Sequence, residues 1–118
     1  MNLKSNFINK PWGHEIFLEK NKKFMFKQLY MKRGHQCSLQ FHKKKIEIVY
    51  IVSGKLLVTI KEKQKKQKKN ILKKKNTLLI KPKTIHRMKA ISNCIYLEAS
   101  TPELLDVVRL EDDYKRVR

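Results

Sequence analysis

The chain has 118 residues with 29 Lys+Arg against 10 Asp+Glu, a formal charge of +19, and 41% hydrophobic residues. That is enough apolar material for one compact core, and because it comes in runs rather than as scattered singles, an intrinsically disordered chain is excluded. No stretch approaches 18 apolar residues, so no membrane span is expected, and the opening MNLKSNFINKPWG lacks the apolar run of a secretory signal. A cytoplasmic protein is therefore expected. Two cysteines, Cys37 and Cys94, permit one disulfide but no stapled framework.

In chain order, the short β-rich apolar segments predict strands over Glu15–Leu18, Phe24–Met31, Ser38–His42, Glu47–Val52, Lys55–Lys61, Thr77–Ile80, Arg87–Lys89, Cys94–Ala99 and Val107–Leu110. Breaks fall at Pro11-Trp12-Gly13, Lys32-Arg33-Gly34, Ser53-Gly54, Pro82 and Thr101-Pro102. No segment offers an amphipathic helix, so the pattern is all-β, a sandwich or small barrel. In EIVYIV, alternation puts Glu47, Val49 and Ile51 on one face and Ile48, Tyr50 and Val52 on the other. Both faces are apolar apart from Glu47, which implies a second sheet or a dimer partner. Ser53-Gly54 predicts a tight hairpin turn from this strand into LLVTI. KEKQKKQKKN then reads as a long solvated hairpin tip.

The charge first suggests nucleic acid. Its distribution weakens that reading. Lys61 to Lys75 alone carries +8, and the basic residues are 24 Lys to only 5 Arg. Guanidinium is the group preferred for bidentate phosphate and base contacts. A nucleic-acid partner is therefore not expected, and a positive field that concentrates a small anion fits better.

The residues that carry chemistry lie elsewhere. Gln40 and His42 share one side of a strand, Glu47 is the only charge on an apolar strand face, and His86 follows a proline turn into another strand. A buried carboxylate needs a cation or a metal. Gln40, His42, Glu47 and His86 make a mixed nitrogen and oxygen donor set suited to Zn, or to Mn, Fe or Co. Against this, Glu47 can pair with a lysine from Lys43 to Lys45, and Gln40 can be an ordinary hydrogen-bonding strand residue. His42 and His86 can be turn or loop histidines. His14 and His35 read as structural or surface groups.

The spacing Gly34, Gln40-Phe41-His42, Glu47, Gly54 resembles the first cupin motif, and Ile80-Lys81-Pro82-Lys83-Thr84-Ile85-His86 resembles the second, with Lys81 and Lys83 at the usual proline and glycine positions. Within the cupins, the chain is similar to the metal-binding domain of mannose-6-phosphate isomerases, including the C-terminal domain of bifunctional isomerase/mannose-1-phosphate guanylyltransferases. Lys10-Pro11-Trp12-Gly13, Ser38 to His42, Glu47, Val52-Ser53-Gly54, Ile85-His86-Arg87 and Val108 to Tyr114 carry that resemblance. It implies a single jelly-roll, double-stranded β-helix barrel with its core over about 10–116 and a basic hairpin extension over about 61–75. It also implies one divalent metal ion on Gln40, His42, Glu47 and His86, and an aldose–ketose sugar-phosphate isomerase. The alternatives are a non-catalytic or differently acting cupin that binds a sugar phosphate or nucleotide sugar, or a stand-alone partner domain of a mannose-1-phosphate guanylyltransferase. Arg87 is the candidate catalytic cation, although alternation faces it away from His86. Lys43, Lys44 and Lys45 are the candidate phosphate anchors, and His35, Glu98 or metal-bound water the candidate bases. A homodimer through sheet packing is expected.

Overall fold

A computed structural model describes residues 6–103 and 105–116 of the chain. Eleven strands run in order: β1 (Phe7–Lys10), β2 (Gly13–Lys20), β3 (Met25–Met31), β4 (Leu39–His42), β5 (Glu47–Ser53), β6 (Leu56–Lys61), β7 (Lys68–Leu72), β8 (Thr77–Ile80), β9 (Ile85–Ala90), β10 (Cys94–Ser100) and β11 (Val107–Glu111). No helix occurs among the described residues. The strands form a six-stranded sheet, β1-β2-β3-β10-β5-β8, facing a five-stranded sheet, β11-β4-β9-β6-β7. Every pairing is antiparallel.

The two inner faces interdigitate. Leu29, Met31, Val49, Ile51 and Tyr96 from one sheet meet Leu56, Val58, Leu72, Met88 and Ala90 from the other. Each such aliphatic side chain contributes about 1.5–3 kcal/mol through removal from water. The alternation expected of β5 is present. Val49 and Ile51 are fully buried, whereas Ile48, Tyr50 and Val52 remain 42%, 39% and 37% exposed. The second sheet thus covers only the inner face of this strand.

Two expectations change. β5 and β6 do not form a hairpin, because β5 pairs with β10 and β8 while β6 pairs with β9 and β7. Ser53-Gly54 is instead a corner that carries the chain between sheets. Gly54 sits at φ +81°, and a Cβ there would strike the carbonyl oxygen of Asn93. That backbone contact makes the corner tight. The lysine-rich stretch is also more ordered than a solvated tip. Lys68–Leu72 forms β7, which runs back along β6 from Ile60↔Lys68 to Leu56↔Leu72. Leu72 is the one residue of β7 that is buried, and it anchors an otherwise exposed strand.

Candidate metal centre

His42 ends β4, Glu47 begins β5 and His86 is the second residue of β9, so the sheets converge their donors at one end of the barrel. Gln40 is the cross-strand neighbour of His86 and alternation puts it on the same side as His42. Side-chain donor atoms of His42, Glu47 and His86 all lie within 4.8 Å of one another, and all three residues are buried. Glu47 Oε1 is 3.6 Å from His42 Nε2 and 3.5 Å from His86 Nε2.

The local chain holds these groups by bonds outside the donor set. In the β4–β5 turn, the backbone N–H groups of Lys44 and Lys45 both donate to Asp106 Oδ2, at 2.7 and 2.8 Å. The Lys83 N–H donates to the His42 carbonyl at 2.6 Å, tying the two ligand-bearing turns together. Lys83 takes φ +67°, the left-handed conformation that glycine would adopt freely. The second motif's turn therefore persists with a lysine at its glycine position.

The donors suit a divalent ion. His86 Nδ1 lies 2.9 Å from the Thr84 carbonyl, an acceptor that requires the N–H at Nδ1 and turns Nε2 toward Glu47. His42 Nδ1 is buried with no hydrogen-bond partner. Burial first, then the neighbouring Lys45 and His86, lowers the His42 pKa to about 4, so its imidazole is neutral at physiological pH, as ligation demands. Burial pulls on His86 in the same direction, but the hydrogen bond and charge of Glu47 prevail and its pKa is raised. Gln40 Oε1 accepts from the Ser38 hydroxyl, which orients the amide and leaves the oxygen a second lone pair. With imidazole and carboxylate donors and no thiolate, the set matches zinc or another first-row divalent ion and leaves coordination positions open.

Both readings of Glu47 hold at once. Oε1 faces the imidazoles, and Oε2 is 3.6 Å from Lys45 Nζ. Burial, followed by the charge of Glu98, raises the Glu47 pKa. Glu98 opposes its own burial through Lys27 and Lys45, and its pKa falls to about 2. Lys27 Nζ lies between Glu98 Oε1 at 3.3 Å and Glu15 Oε2 at 3.6 Å, all three residues being buried. A chain of alternating charge thus runs from the metal donors into the barrel.

These groups line a cavity of about 140 Å³. Trp12, Tyr96 and Met88 supply apolar wall, and Lys10, Lys45, Arg109 and Arg116 bring positive charge. Of the three candidate phosphate anchors, only Lys45 faces this cavity. Lys43 lines a separate pocket with Asp106, and Lys44 is exposed. Arg87 lies outside it. Its side chain crosses the opposite face of β9, where Nε donates to the Cys37 carbonyl at 3.0 Å and Nη2 to the Glu111 carbonyl at 3.2 Å. Of the candidate bases, Glu98 lines the cavity, whereas His35 bonds to the Tyr114 hydroxyl at 2.8 Å and lies outside it. His14 stacks between Phe7 and Tyr30 on the outer surface of the six-stranded sheet.

Lys27, Glu15 and Asp106 were not expected at the site. The signal for the first two was present: each is a charge at an inward register of a strand, as in MFKQLYM, where Lys27 alternates with Met25, Leu29 and Met31. Asp106 carries no such signal, because it acts from a loop on backbone groups 61 and 62 residues away.

A family model described as mannose-6-phosphate isomerase C-terminal matches residues 3–113. The chain belongs to that family. Its fold is the cupin fold, shared with several solved structures. Oxalate decarboxylase from Bacillus subtilis superposes with a TM-score of 0.80 at 14% identity, over 90% of this chain and 30% of that one. The capsular polysaccharide assembling protein CapF from Staphylococcus aureus gives 0.80 at 15%, over 93% and 35%. KdgF from Halomonas sp. gives 0.72 at 16%, over 82% and 87%. The chain thus spans about a third of the length of the first two. No curated protein matches it in sequence. Among the described residues, no helix is long and apolar enough to cross a membrane.

Proposed function

We propose that this family member is a cytoplasmic, metal-dependent sugar-phosphate isomerase of the mannose-6-phosphate isomerase type. The observation that carries the reading is the convergence of His42, Glu47 and His86 in a cavity lined by cationic side chains. A divalent ion, zinc being the first choice, would be held by these three and Gln40, and would supply Lewis acidity toward the oxygens on the sugar's two reacting carbons. Lys10, Lys45 and Arg116 favour an anionic substrate and orient its phosphate, while Trp12 and Tyr96 give the sugar a wall and exclude water. Isomerisation must also move a proton between C1 and C2. Glu98 is a carboxylate of the cavity that lies outside the donor set and beside Glu47, and it takes and returns that proton.

One observation favours a second reading, that the barrel binds a sugar phosphate without turning it over. Lys27 and Lys45 hold Glu98 near pKa 2, which makes it a weak base. A coupled assay for conversion of mannose 6-phosphate to fructose 6-phosphate, run on metal-replete full-length chain, separates the two. Isomerase activity should vanish with chelator, and Glu98→Gln should lower kcat at least tenfold with metal content unchanged. Metal-loaded protein that retains mannose 6-phosphate without turnover establishes the binding reading instead. Full metal occupancy in both His42→Ala and His86→Ala would overturn the site.

A further inference from the structure

The end of the barrel that bears the candidate donors also gathers lysines and exposed apolar tips. In one sheet Met25 pairs with Ser100, Ser100 with Glu47 and Glu47 with Ile80. In the other, Gln40 pairs with His86, His86 with Ile60 and Ile60 with Lys68. The β2–β3, β4–β5, β6–β7 and β8–β9 turns therefore all leave the barrel at this end. Their exposed lysines are Lys22 and Lys23, Lys43 and Lys44, Lys63, Lys65 and Lys66, and Lys81 and Lys83, and Glu62 is the one acid in the four turns. Three large apolar side chains stand among them: Phe24 is 46% exposed, Ile46 37% and Leu105 81%. Ile46 and Thr101 exchange hydrogen bonds, and Thr101 follows Ser100, the partner of Met25, so Phe24 and Ile46 lie on adjoining turns. Leu105 precedes Asp106, which holds the β4–β5 turn.

We infer that this end docks reversibly on the surface of an anionic lipid bilayer, its lysines against the headgroups and Phe24, Ile46 and Leu105 entering the interface. The apolar tips decide between anionic partners. Any of them would attract the lysines, whose field reaches a Debye length into solution. A nucleic acid, however, presents a phosphate rail that gives Ile46 and Leu105 nothing to enter, and these turns contain no arginine for bidentate phosphate contacts. A bilayer supplies both halves of the match: negative headgroups for ammonium groups, and an acyl boundary where exposed apolar side chains leave water. The other end of the barrel differs. There the Lys73 to Lys75 turn shares the surface with Asp112 and Asp113, which pair with Arg116 and Arg87. Docking of this kind needs no crossing segment, and it stands independently of whether the barrel turns over a sugar phosphate.

Flotation of the full chain with vesicles of phosphatidylcholine and phosphatidylserine at about 70:30, against phosphatidylcholine alone, tests this. In about 0.1 M NaCl the anionic vesicles should bind at least tenfold more tightly, and binding should weaken as salt is raised to about 0.5 M. Replacing Lys63, Lys65 and Lys66 together by glutamine should lower affinity at least tenfold. The same loss of charge at the opposite end, Lys73, Lys74 and Lys75 to glutamine, should lower it less than about threefold, since charge beyond a Debye length of the lipid counts little. Phe24→Trp should show a blue-shifted emission on anionic vesicles once the Trp12 signal is subtracted, and Leu105→Ser should weaken binding several-fold. Circular dichroism and melting check that each variant is folded. Absence of flotation with anionic vesicles at the lower salt overturns the inference, as do equal losses in the two triple variants or an unshifted Phe24→Trp emission. Tighter binding to a DNA duplex than to the vesicles, insensitive to Leu105→Ser, would assign the lysines to a polyanion instead.

Discussion

Lys27 shows how costly the barrel's interior chemistry is at the level of one side chain. Its ammonium is buried between two carboxylates, and Glu98, Glu15 and Glu47 together outweigh the desolvation that would lower its pKa, so it stays charged. Removing one member of such a set leaves uncompensated buried charge, which typically costs about 3–5 kcal/mol. Lys27→Met should therefore lower unfolding free energy by roughly 3 kcal/mol in urea titrations, although methionine fills a similar volume. A loss below about 1 kcal/mol would mean that water already reaches the carboxylates. The cluster of His42, Glu47 and His86, with Gln40 beside it, was legible as a candidate because donor-type side chains stood at inward strand positions or beside turns. Lys45 was legible only as one of three adjacent lysines. Sequence spacing cannot say which member of a short turn folds inward.

At the scale of elements, strands announced by short runs of apolar β-formers were readable to within a few residues, and β5, EIVYIVS, is such a run. β1 and β7 lacked that signal. Four of the five β7 side chains are exposed, and only pairing with β6 makes it a strand. Sheet membership was harder still, since a glycine corner between sheets and a hairpin turn share the same Ser-Gly signature. The turn before β9 is a place where the chain accepts strain. Lys83 at φ +67° carries a left-handed cost of about 1–2 kcal/mol, partly offset in any glycine variant by unfolded-chain entropy. Lys83→Gly should thus stabilise by about 0.5–1 kcal/mol, read as a higher melting temperature with unaltered metal content.

The segment after β11 has its own pH dependence. The hydrogen bond from the Arg116 side chain, then those from the Arg116 and Tyr114 backbone N–H groups, outweigh burial and hold Asp112 at a pKa of about 2, below the ordinary 3.8. A depressed carboxylate stabilises its folded contacts above pH 3.8 and loses that contribution as pH falls toward 2. Between pH 4 and 2, Tyr114 and Arg116 should come away from the barrel, visible as loss of amide-exchange protection in this segment. Asp112→Asn should produce the same release at pH 7. Protection unchanged in that variant would assign the docking to the His35–Tyr114 bond instead.

For the whole molecule, the dominant quantity is self-repulsion. A net charge of +19 on 118 residues opposes compaction, and most of it is exposed and therefore screened by salt. Raising NaCl from 20 to 300 mM should increase the melting temperature by several °C, the shift that about 1 kcal/mol produces in a domain of this size. An unchanged or falling melting temperature would show that counter-charges already neutralise the hairpin lysines.

Strand β4, which carries the candidate donors Gln40 and His42, is only four residues long. Its partners are a single bridge to β9 and the longer pairing with β11, Val107↔His42 through Glu111↔Leu39. That order of assembly matters during synthesis. His42 and Glu47 leave the ribosome early, yet the strand that zips His42 into the sheet emerges more than 60 residues later. A nascent chain halted before residue 107 carries Gln40, His42, Glu47 and His86 but lacks the longer partner of β4, so the proposed metal site is completed only when translation of the barrel is almost finished.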